Sequence, residues 1–414
     1  MTTRLRPPTA RLRLGALAFL VGSVMVHAGN YGFNLVAVRL LSPAEYADVA
    51  LTVSLLLFAG FFTVGLQMAT ARTVAELGTN HTAARRLAGW FARRTFRLGL
   101  VVGGIVALAT PVLTATFQTA SPVPILAVAL ALPWAFEAGV GRGLAQGLEQ
   151  FGRLAGSFQA EMAVRLGAGV GLMAIGFGSD GGATGVALSV VAAALVVRPS
   201  RTATGIGERP IDTRRLLVSV GPSLALLAGE ALVNHVDTII VKQAFDPSIA
   251  GLYAAMALIG RSVFFVTWPI SMLVFPIAAR RAAAGQPVAR MLAAAAGGTA
   301  IVGAAATVVA VSAPEWILTT LLGAEHAALA HLLAPYVAAT ALFAVASTLV
   351  SFGLAVGANT AGPIAAGAGL AVFSVLALAH SSLEAVVWAQ LIAMVIYVAG
   401  AATWLYLRLR SRRP

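Results

Sequence analysis

The side chains most able to do chemistry in this chain are polar groups inside otherwise apolar stretches. Two stretches carry such groups three or four residues apart: His27, Asn30 and Asn34, then Glu230, Asn234 and Asp237. Residues with this spacing share one face of a helix. Polar groups avoid lipid, because each unsatisfied group there costs several kcal/mol. We therefore expect the two faces to meet each other, a neighbouring helix or a water-filled cavity.

The carboxylates on these faces point to ion binding. An ionisable residue inside a membrane segment is a functional candidate by default. Glu230 and Asp237 are therefore candidates for holding a coupling Na⁺ or H⁺, and the three asparagines are candidates for binding substrate. The competing interpretation is hydrogen bonding that only holds the helices together.

Four cations stand apart from the arginine clusters of the chain: Arg39, Arg165, Lys242 and Arg261. Arg261 lies deep in an apolar stretch, where an arginine costs about 2.5–3.5 kcal/mol on insertion scales. A carboxylate such as Glu230, or a cavity that meets an anion, must offset that cost. Arg165 stands four residues after Glu161, so the two favour a structural pair, although Glu161 is also a candidate for the coupling ion. Snorkelling to lipid head groups explains the other two cations as well as a substrate role does.

The remaining positive residues show how the elements are arranged. All but four of the 28 lie in six clusters: Arg4 to Arg13, Arg72 to Arg97, Arg142 and Arg153, Arg198 to Arg215, Arg280 to Arg290, and Arg408 to Arg413. Apolar segments separate the clusters in even numbers, which is typical of a chain that keeps its positive loops on the cytoplasmic side of a bilayer. The pattern predicts a bacterial cytoplasmic membrane protein with both termini in the cytoplasm.

The apolar segments predict an all-α, polytopic membrane protein. A spanning helix needs about 20 apolar residues. Twelve stretches qualify: 14–38, 47–71, 98–117, 122–140, 154–177, 181–197, 216–241, 249–279, 291–314, 332–358, 361–380 and 384–407. We expect two six-helix lobes, residues 1–200 and 215–414, joined by a cytoplasmic linker at 201–214. At the inner end of the fourth span, Glu137 is placed to pair with Arg142.

Composition excludes several classes of protein. Hydrophobic residues make up 59% of the chain and charged residues 10%, whereas soluble domains carry about 25% charge. The net charge of +13 follows from the flanking arginines, so no nucleic-acid partner is expected. Cys is absent, and no catalytic triad or nucleotide motif is visible. The glycines between Gly139 and Gly147 follow a span rather than a strand, so they do not form a nucleotide loop. We expect no enzyme and no metal, and the outer cluster Glu325, His326 and His331 has no assigned role.

Residues 72–97 form the longest inner connection. Leu87, Trp90 and Phe91 stand among arginines there. This mixture fits a helix lying in the membrane interface with its arginines near anionic head groups. Membrane lipids are therefore expected partners.

The two halves carry similar outer turns. Arg39-Leu-Leu-Ser-Pro-Ala-Glu-Tyr46 in the first resembles Lys242-Gln-Ala-Phe-Asp-Pro-Ser-Ile-Ala-Gly-Leu-Tyr253 in the second. Each has a cation, a proline in a tight turn and then a long span. Both turns run in the same direction, so the repeat is parallel, as in transporters whose halves are related by an axis along the membrane normal.

Four motifs together resemble bacterial polysaccharide transporters of the multidrug/oligosaccharidyl-lipid/polysaccharide (MOP) flippase superfamily. They are the first outer turn, Gly143-Leu-Ala-Gln-Gly-Leu-Glu-Gln-Phe-Gly-Arg153, the segment from Asp237 to Tyr253, and the turn from Leu322 to Leu333. The segment from Gly357 to Pro363 lacks the basic residue that such an inner loop usually has.

The resemblance implies a flippase for a polyprenyl-pyrophosphate-linked oligosaccharide in cell-surface polysaccharide biosynthesis. Two lobes would form a V and alternate between inward-open and outward-open states. Cations in the cavity would meet the pyrophosphate, with Arg261 the best match, then Arg165 and Arg39. A glycan polymerase or glycosyltransferases would be its partners.

Two other functions compete with this one. A drug or cation antiporter of the same superfamily would use Glu230 and Asp237, although Arg261 argues against an acidic cavity. A membrane glycan polymerase or ligase would need a large catalytic outer loop, which the sequence lacks. The coupling source stays open between Na⁺, H⁺ and the membrane potential.

Overall fold

The structure, a computed structural model, describes residues 10–77, 80–199 and 213–410, and these residues form helices and short connections without a strand. Within these residues the first half contains seven α-helices: α1 (Ala10–Leu40), α2 (Pro43–Glu76), α3 (His81–Leu108), α4 (Thr110–Phe117), α5 (Val123–Gly147), α6 (Phe151–Val164) and α7 (Gly178–Val197). The second half contains another seven: α8 (Thr213–Ala244), α9 (Pro247–Ala283), α10 (Ala289–Ser312), α11 (Pro314–Leu321), α12 (Ala330–Ala355), α13 (Ala361–Leu378) and α14 (Leu383–Arg410). Two π-helical turns, Arg165–Val170 and Met173–Phe177, lie between α6 and α7, and a 3₁₀ turn, Ala324–Leu329, precedes α12.

Capping hydrogen bonds and prolines explain why helices begin at the predicted outer turns. Ser42 and Glu45 form a capping box at the start of α2, in which the Ser42 amide donates to Glu45 Oε2 at 3.0 Å. Asp246 caps α9 by accepting from the Ser248 amide at 2.8 Å. Pro43 and Pro247 occupy the first helical position, where proline costs no hydrogen bond.

The chain is a multi-pass, all-α membrane protein. Among the described residues nine helical segments are long and apolar enough to cross a membrane, or ten if α3 and α4, bent by 61°, count as one span. One of the nine, Phe151–Val197, holds two predicted spans. Gly176 and Gly178 separate them with φ angles of 97° and 51°. Each of the twelve predicted spans falls on the helices of the structure.

The helix partners repeat between the two halves. In the first half α3 packs on α5, α5 on α7, α6 on α7, and α1 on α6. In the second half α10 packs on α12, α12 on α14, α13 on α14, and α8 on α13. An eight-residue helix follows α3 in the first half and α10 in the second, namely α4 and α11. The parallel repeat predicted from the outer turns is therefore present in the packing.

The described residues divide into two compact units that do not follow the midpoint of the chain. The first unit takes residues up to Leu40, then Phe62–Leu113 and Ser121–Pro210. The second takes Leu41–Phe61 and Thr114–Ala120 together with the second half. Two short segments of the first half thus pack with the second. The lobe boundaries at 200 and 215 stay predictions, and most of the linker at 201–214 lies outside the described residues.

Residues 81–97 are the first turns of α3 and continue directly into its apolar part. The separate interfacial helix predicted for 72–97 is therefore wrong. One face of these turns is lined by Ala84, Ala88 and Ala92, which pack in a fully buried cluster with Val74 and Val140. The small alanine side chains favour packing on α2 and α5, which leaves only the arginine face outward.

Glycines set the closest helix contacts of the first unit. A Cβ atom added at Gly139, Gly143 or Gly147 of α5 would lie 2.5–2.7 Å from a backbone oxygen of α2. Gly99 and Gly103 of α3 approach α5 in the same way. The glycines near the end of α5 are thus a packing stripe of the small-xxx-small kind.

Candidate functional site

Two arginines of the first unit share one carboxylate. Arg142 of α5 donates from Nη2 to Glu161 Oε2 of α6 at 2.6 Å. Arg165, one turn after Glu161, donates from Nη2 to Oε1 at 2.9 Å. The three side chains are between 12% and 22% exposed. Two cations against one anion leave a formal charge of +1 in this cluster.

Neighbouring polar groups hold the two guanidinium groups in place. Arg165 donates to Asn30 Oδ1 of α1 at 3.0 Å and to the Ser189 hydroxyl of α7 at 3.4 Å. Arg142 donates to the Ser157 hydroxyl at 3.0 Å, and its guanidinium lies 3.9 Å from the centre of the Phe158 ring. We call Arg142, Glu161 and Arg165 the arginine cluster.

The backbone changes at this cluster as well. Arg165 begins a π-helical turn, Arg165–Val170, after regular α-helix. Such turns insert an extra residue and are frequent at functional sites. The extra residue rotates the following residues about the helix axis. Gly169, within this turn, lies against Phe33 of α1.

The structure corrects two sequence predictions here. Arg142 does not pair with Glu137, because Glu137 meets Arg198 at 3.4 Å and Arg142 meets Glu161 instead. The arginine pattern also predicts that Arg142 only marks the inner side of the membrane, whereas the structure makes it part of this cluster. Its position nineteen residues before Glu161 in sequence gave no sign of the contact, because only the packing of α5 on α6 brings the two together.

A second charged network lies in the second unit, around the fully buried Asp237 of α8. Arg261 of α9 donates to Asp237 Oδ1 at 2.6 Å and to the Thr238 hydroxyl at 2.5 Å. The Tyr336 and Tyr253 hydroxyls donate to Asp237 Oδ2 at 2.7 and 3.1 Å. Asp237 thus accepts three hydrogen bonds, and one cation is balanced by one anion.

The prediction for the partner of Arg261 is wrong in the identity of the carboxylate. A carboxylate does offset its burial, but that carboxylate is Asp237 rather than Glu230. Arg261 is 11% exposed, and its Nε atom has no hydrogen-bond partner. Tyr253 and Tyr336 were not predicted as parts of the site. Tyr253 stood in the second outer-turn motif, whereas nothing in the sequence marked Tyr336.

A small cavity adjoins this network. It is lined by Val233, Asn234, Arg261, Tyr336, Thr340, Phe343 and Gln390. The Oε1 atom of Gln390 is buried without a partner. The Asn234 amide donates to the Glu230 carbonyl at 3.1 Å. Asn234 thus lies beside a cavity with polar lining, which is one of the three surroundings that the spacing of the stripe on α8 allows.

The remaining predicted site residues lie apart from these networks. Glu230 is partly buried and accepts a hydrogen bond from the Ser347 hydroxyl of α12. Asn34 donates to the Asn30 carbonyl of its own helix at 2.9 Å. Arg39 is exposed at the end of α1. Their functional roles stay predictions.

Lys242 does not snorkel, which corrects another prediction. Its Nζ lies 2.7 Å from Asp48 Oδ1, and the two side chains are 2% and 1% exposed. The Ala120 amide donates to Asp48 Oδ2 at 3.0 Å. Asp48 lies in the part of α2 that belongs to the second unit. An ionisable residue inside the second predicted span was the signal that could have found it.

The outer histidines do not gather around a site. His331 Nε2 lies 3.1 Å from Glu384 Oε1, and both side chains are more than half exposed. His326 is buried. Among the residues that the structure describes, no group of three potential metal ligands comes together.

No protein-family model and no curated protein matches the chain by sequence. Solved structures do match by fold. A multidrug resistance MATE family transporter of the MOP superfamily, inward-facing, has a TM-score of 0.71 and 14% identity over 92% of this chain and 96% of its own. The lipid II flippase MurJ, in an inward closed conformation, has a TM-score of 0.75 and 13% identity over 95% of this chain and 87% of its own. The MATE multidrug transporter DinF-BH, in complex with R6G, has a TM-score of 0.69 and 14% identity over 98% of both chains.

These likenesses, at 13–14% identity, define the fold. The chain has the two-lobed, all-helical fold of MOP superfamily transporters. Proteins with this fold include both a flippase and multidrug transporters, so the fold leaves the substrate open.

Proposed function

We propose that this chain is a flippase that moves a polyprenyl-pyrophosphate-linked oligosaccharide across the bacterial cytoplasmic membrane for cell-surface polysaccharide biosynthesis. The observation that carries the proposal is the arginine cluster, where Arg142 and Arg165 share the single carboxylate of Glu161. Partly exposed guanidinium groups with a net positive charge bind phosphate oxygens bidentately. A pyrophosphate supplies the negative charge that the cluster lacks.

The arginine cluster supports this role better than Arg261 does. The charge of Arg261 is matched by Asp237, and two tyrosines also donate to that carboxylate. An anion at Arg261 would have to compete with Asp237. We therefore propose Arg165 and Arg142 as the main pyrophosphate ligands, with Asn30 holding Arg165 in place. Arg261, Asn34, Asn234 and Arg39 are proposed to contact other parts of the substrate.

Substitution of Arg165 tests the proposal. We expect Arg165→Gln to weaken binding of undecaprenyl pyrophosphate about 10- to 150-fold, since a hydrogen bond to a charged group contributes about 1.5–3 kcal/mol. Arg165→Lys should retain part of the affinity but lose the bidentate contact. Binding is measured with protein in nanodiscs, and glycan export is measured in cells.

Arg72→Gln is the matched control, because Arg72 is an exposed arginine paired with Glu76 on its own helix. It removes one positive charge and should change neither binding nor export. Full glycan export by Arg165→Gln, with normal protein levels in the membrane, would remove Arg165 from the mechanism.

Glu230 favours a second candidate function, a drug or cation antiporter. Among the described residues no basic side chain pairs with Glu230, which accepts only from Ser347. Asp237 and Glu161 are both engaged by arginines. Glu230 is therefore the carboxylate best placed to take a Na⁺ or H⁺, and a drug antiporter also needs such a group.

Two assays separate the candidates. A drug-efflux antiporter should give resistance in a pump-deleted host, and Glu230→Gln should abolish that resistance. A flippase should translocate lipid-linked saccharide in proteoliposomes, with a rate that responds to an imposed Na⁺ gradient, pH gradient or membrane potential. If neither ion gradient alters the rate, Glu230 is structural and the membrane potential remains as the driving force.

A further inference from the structure

An outward-facing stripe of α3 joins the basic start of that helix to its apolar part. Leu98, Val101, Ile105 and Leu108 repeat every three or four residues and are each more than half exposed. Exposed apolar side chains with this spacing form one outward stripe of a helix. Because the chain is a membrane protein, this stripe faces lipid hydrocarbon.

Arg94 extends the same stripe by one turn beyond Leu98, and Trp90 extends it by one more. The Arg94 guanidinium lies 3.9 Å from the centre of the Trp90 ring. Arg97, next to Leu98, is also exposed. Neither Arg94 nor Arg97 has a carboxylate partner among the residues that the structure describes. Their charge is therefore available to an anion outside the protein.

The depth of these side chains follows from helix geometry. Residues 98–117 carry no charge, so Leu98 marks the start of the hydrocarbon layer. At a rise of about 1.5 Å per residue, Arg97 and Arg94 lie about 1.5 and 6 Å before Leu98 along the helix. The head-group layer is about 5–7 Å thick on each side. Both arginines fall within it.

Arg86 and Arg85 lie about 18 and 20 Å before Leu98 by the same rise. That distance places them beyond the head-group layer. The four exposed arginines of α3 therefore divide into a pair at phosphate depth and a pair farther out, although their side-chain chemistry is the same; the fifth, Arg93, is half-buried.

We propose that Arg94 and Arg97, with Trp90, form a binding site for the phosphate of an anionic phospholipid. Trp90 holds the Arg94 guanidinium by a cation–π contact and itself suits the interface, where indole rings are enriched. The exposed stripe from Leu98 to Leu108 contacts the acyl chains of the same lipid. This site is separate from the arginine cluster and does not depend on the transported substrate.

Two double variants of equal charge test the site. Arg94→Gln with Arg97→Gln removes the pair at phosphate depth, and Arg85→Gln with Arg86→Gln removes the pair farther out. Phosphatidylglycerol is titrated onto the detergent-solubilised protein, and bound lipid is counted by native mass spectrometry. We expect the first variant to bind about 30-fold more weakly, since each basic residue near an anionic surface contributes about 1 kcal/mol, and the second to change less than threefold.

Further arms identify the ligand. Zwitterionic phosphatidylcholine should bind the unaltered protein and the first variant equally weakly, and 10 mM inorganic phosphate should displace little phosphatidylglycerol. Trp90→Leu should lower affinity by less than the loss of both arginines.

Three outcomes would overturn the proposal: equal losses of affinity in the two double variants, an unchanged affinity in the first double variant, or displacement of phosphatidylglycerol by free phosphate. Circular dichroism verifies that the variants are folded, which is expected of the double variants because the four arginine side chains are exposed.

Discussion

At the scale of single residues, the two charged networks differ in their ratio of cations to anions. Arg261 and Asp237 balance each other and are locked by tyrosine hydroxyls. Arg142 and Arg165 outnumber Glu161. Removing a charge from a buried network costs most when a partner is left uncompensated. The balanced network is therefore suited to hold helices together, and the unbalanced one is suited to receive an anion.

The buried pair Asp48 and Lys242 gives a prediction at this scale. We expect Asp48→Asn to lower the free energy of unfolding by about 3–5 kcal/mol, because it leaves a buried ammonium without its counter-charge. Asp48→Leu combined with Lys242→Met should recover most of that loss, since a buried apolar pair can replace a buried ion pair. The thermal midpoint of the purified protein is the measurement.

Glu76→Gln is the control for this prediction. It breaks the Arg72–Glu76 pair, whose side chains are 47% and 58% exposed. Exposed helix pairs of this kind contribute about 0.3–0.5 kcal/mol, so the midpoint should barely move. If Asp48→Asn is as mild as Glu76→Gln, then water or another group compensates Lys242.

At the scale of elements, backbone contacts through glycine position the arginine cluster. Arg142 is carried by α5, and the glycine stripe of α5 packs on the backbone of α2. Close backbone approach fixes the rotation of α5, because a helix turned by one residue would place side chains where the glycines are. The direction of Arg142 toward Glu161 thus depends on residues that do no chemistry.

Alanine at two glycines should change stability with opposite signs. A Cβ at Gly143 would lie 2.5 Å from the Gln67 carbonyl oxygen, whereas Gly104 has nothing within 4 Å. We expect Gly143→Ala to destabilise the protein by about 1–3 kcal/mol through overpacking. Gly104→Ala should stabilise it by up to about 1 kcal/mol, because alanine favours helix. If both substitutions shift the thermal midpoint in the same direction relative to the unaltered protein, this interpretation of the packing is contradicted.

At the scale of the whole molecule, the compact units cross the sequence repeat. The second unit includes Leu41–Phe61 and Thr114–Ala120 from the first half. These segments supply Asp48, the Ala120 amide that binds it, and the Gln118 carbonyl at 3.5 Å from Lys242 Nζ. The second half of the chain on its own therefore lacks the groups that compensate Lys242.

Separate expression of the halves tests this dependence. The chain is divided at the predicted linker, and each half is produced alone or together with the other. We expect the second half alone to be degraded, or to have a lower thermal midpoint than in the whole protein. Co-production with the first half should restore its stability. Lys242→Met should partly rescue the isolated second half, because it removes the uncompensated charge. A second half that is as stable alone as in the pair would show that the segments from the first half are dispensable.

The all-helical, polytopic class and the twelve predicted spans follow from the sequence alone, because a long apolar run with arginines at its cytoplasmic end can satisfy its backbone in a bilayer only as a helix. The polar stripes and the position of Arg261 inside a span could also be recognised in the sequence, because polar and charged residues are rare within apolar membrane segments. Which charges meet was decided only by the tertiary structure. Asp48 and Lys242 are far apart in sequence, as are Arg142 and Glu161. Helix periodicity fixes which side chains share a face, but only the packing of helices decides which faces meet.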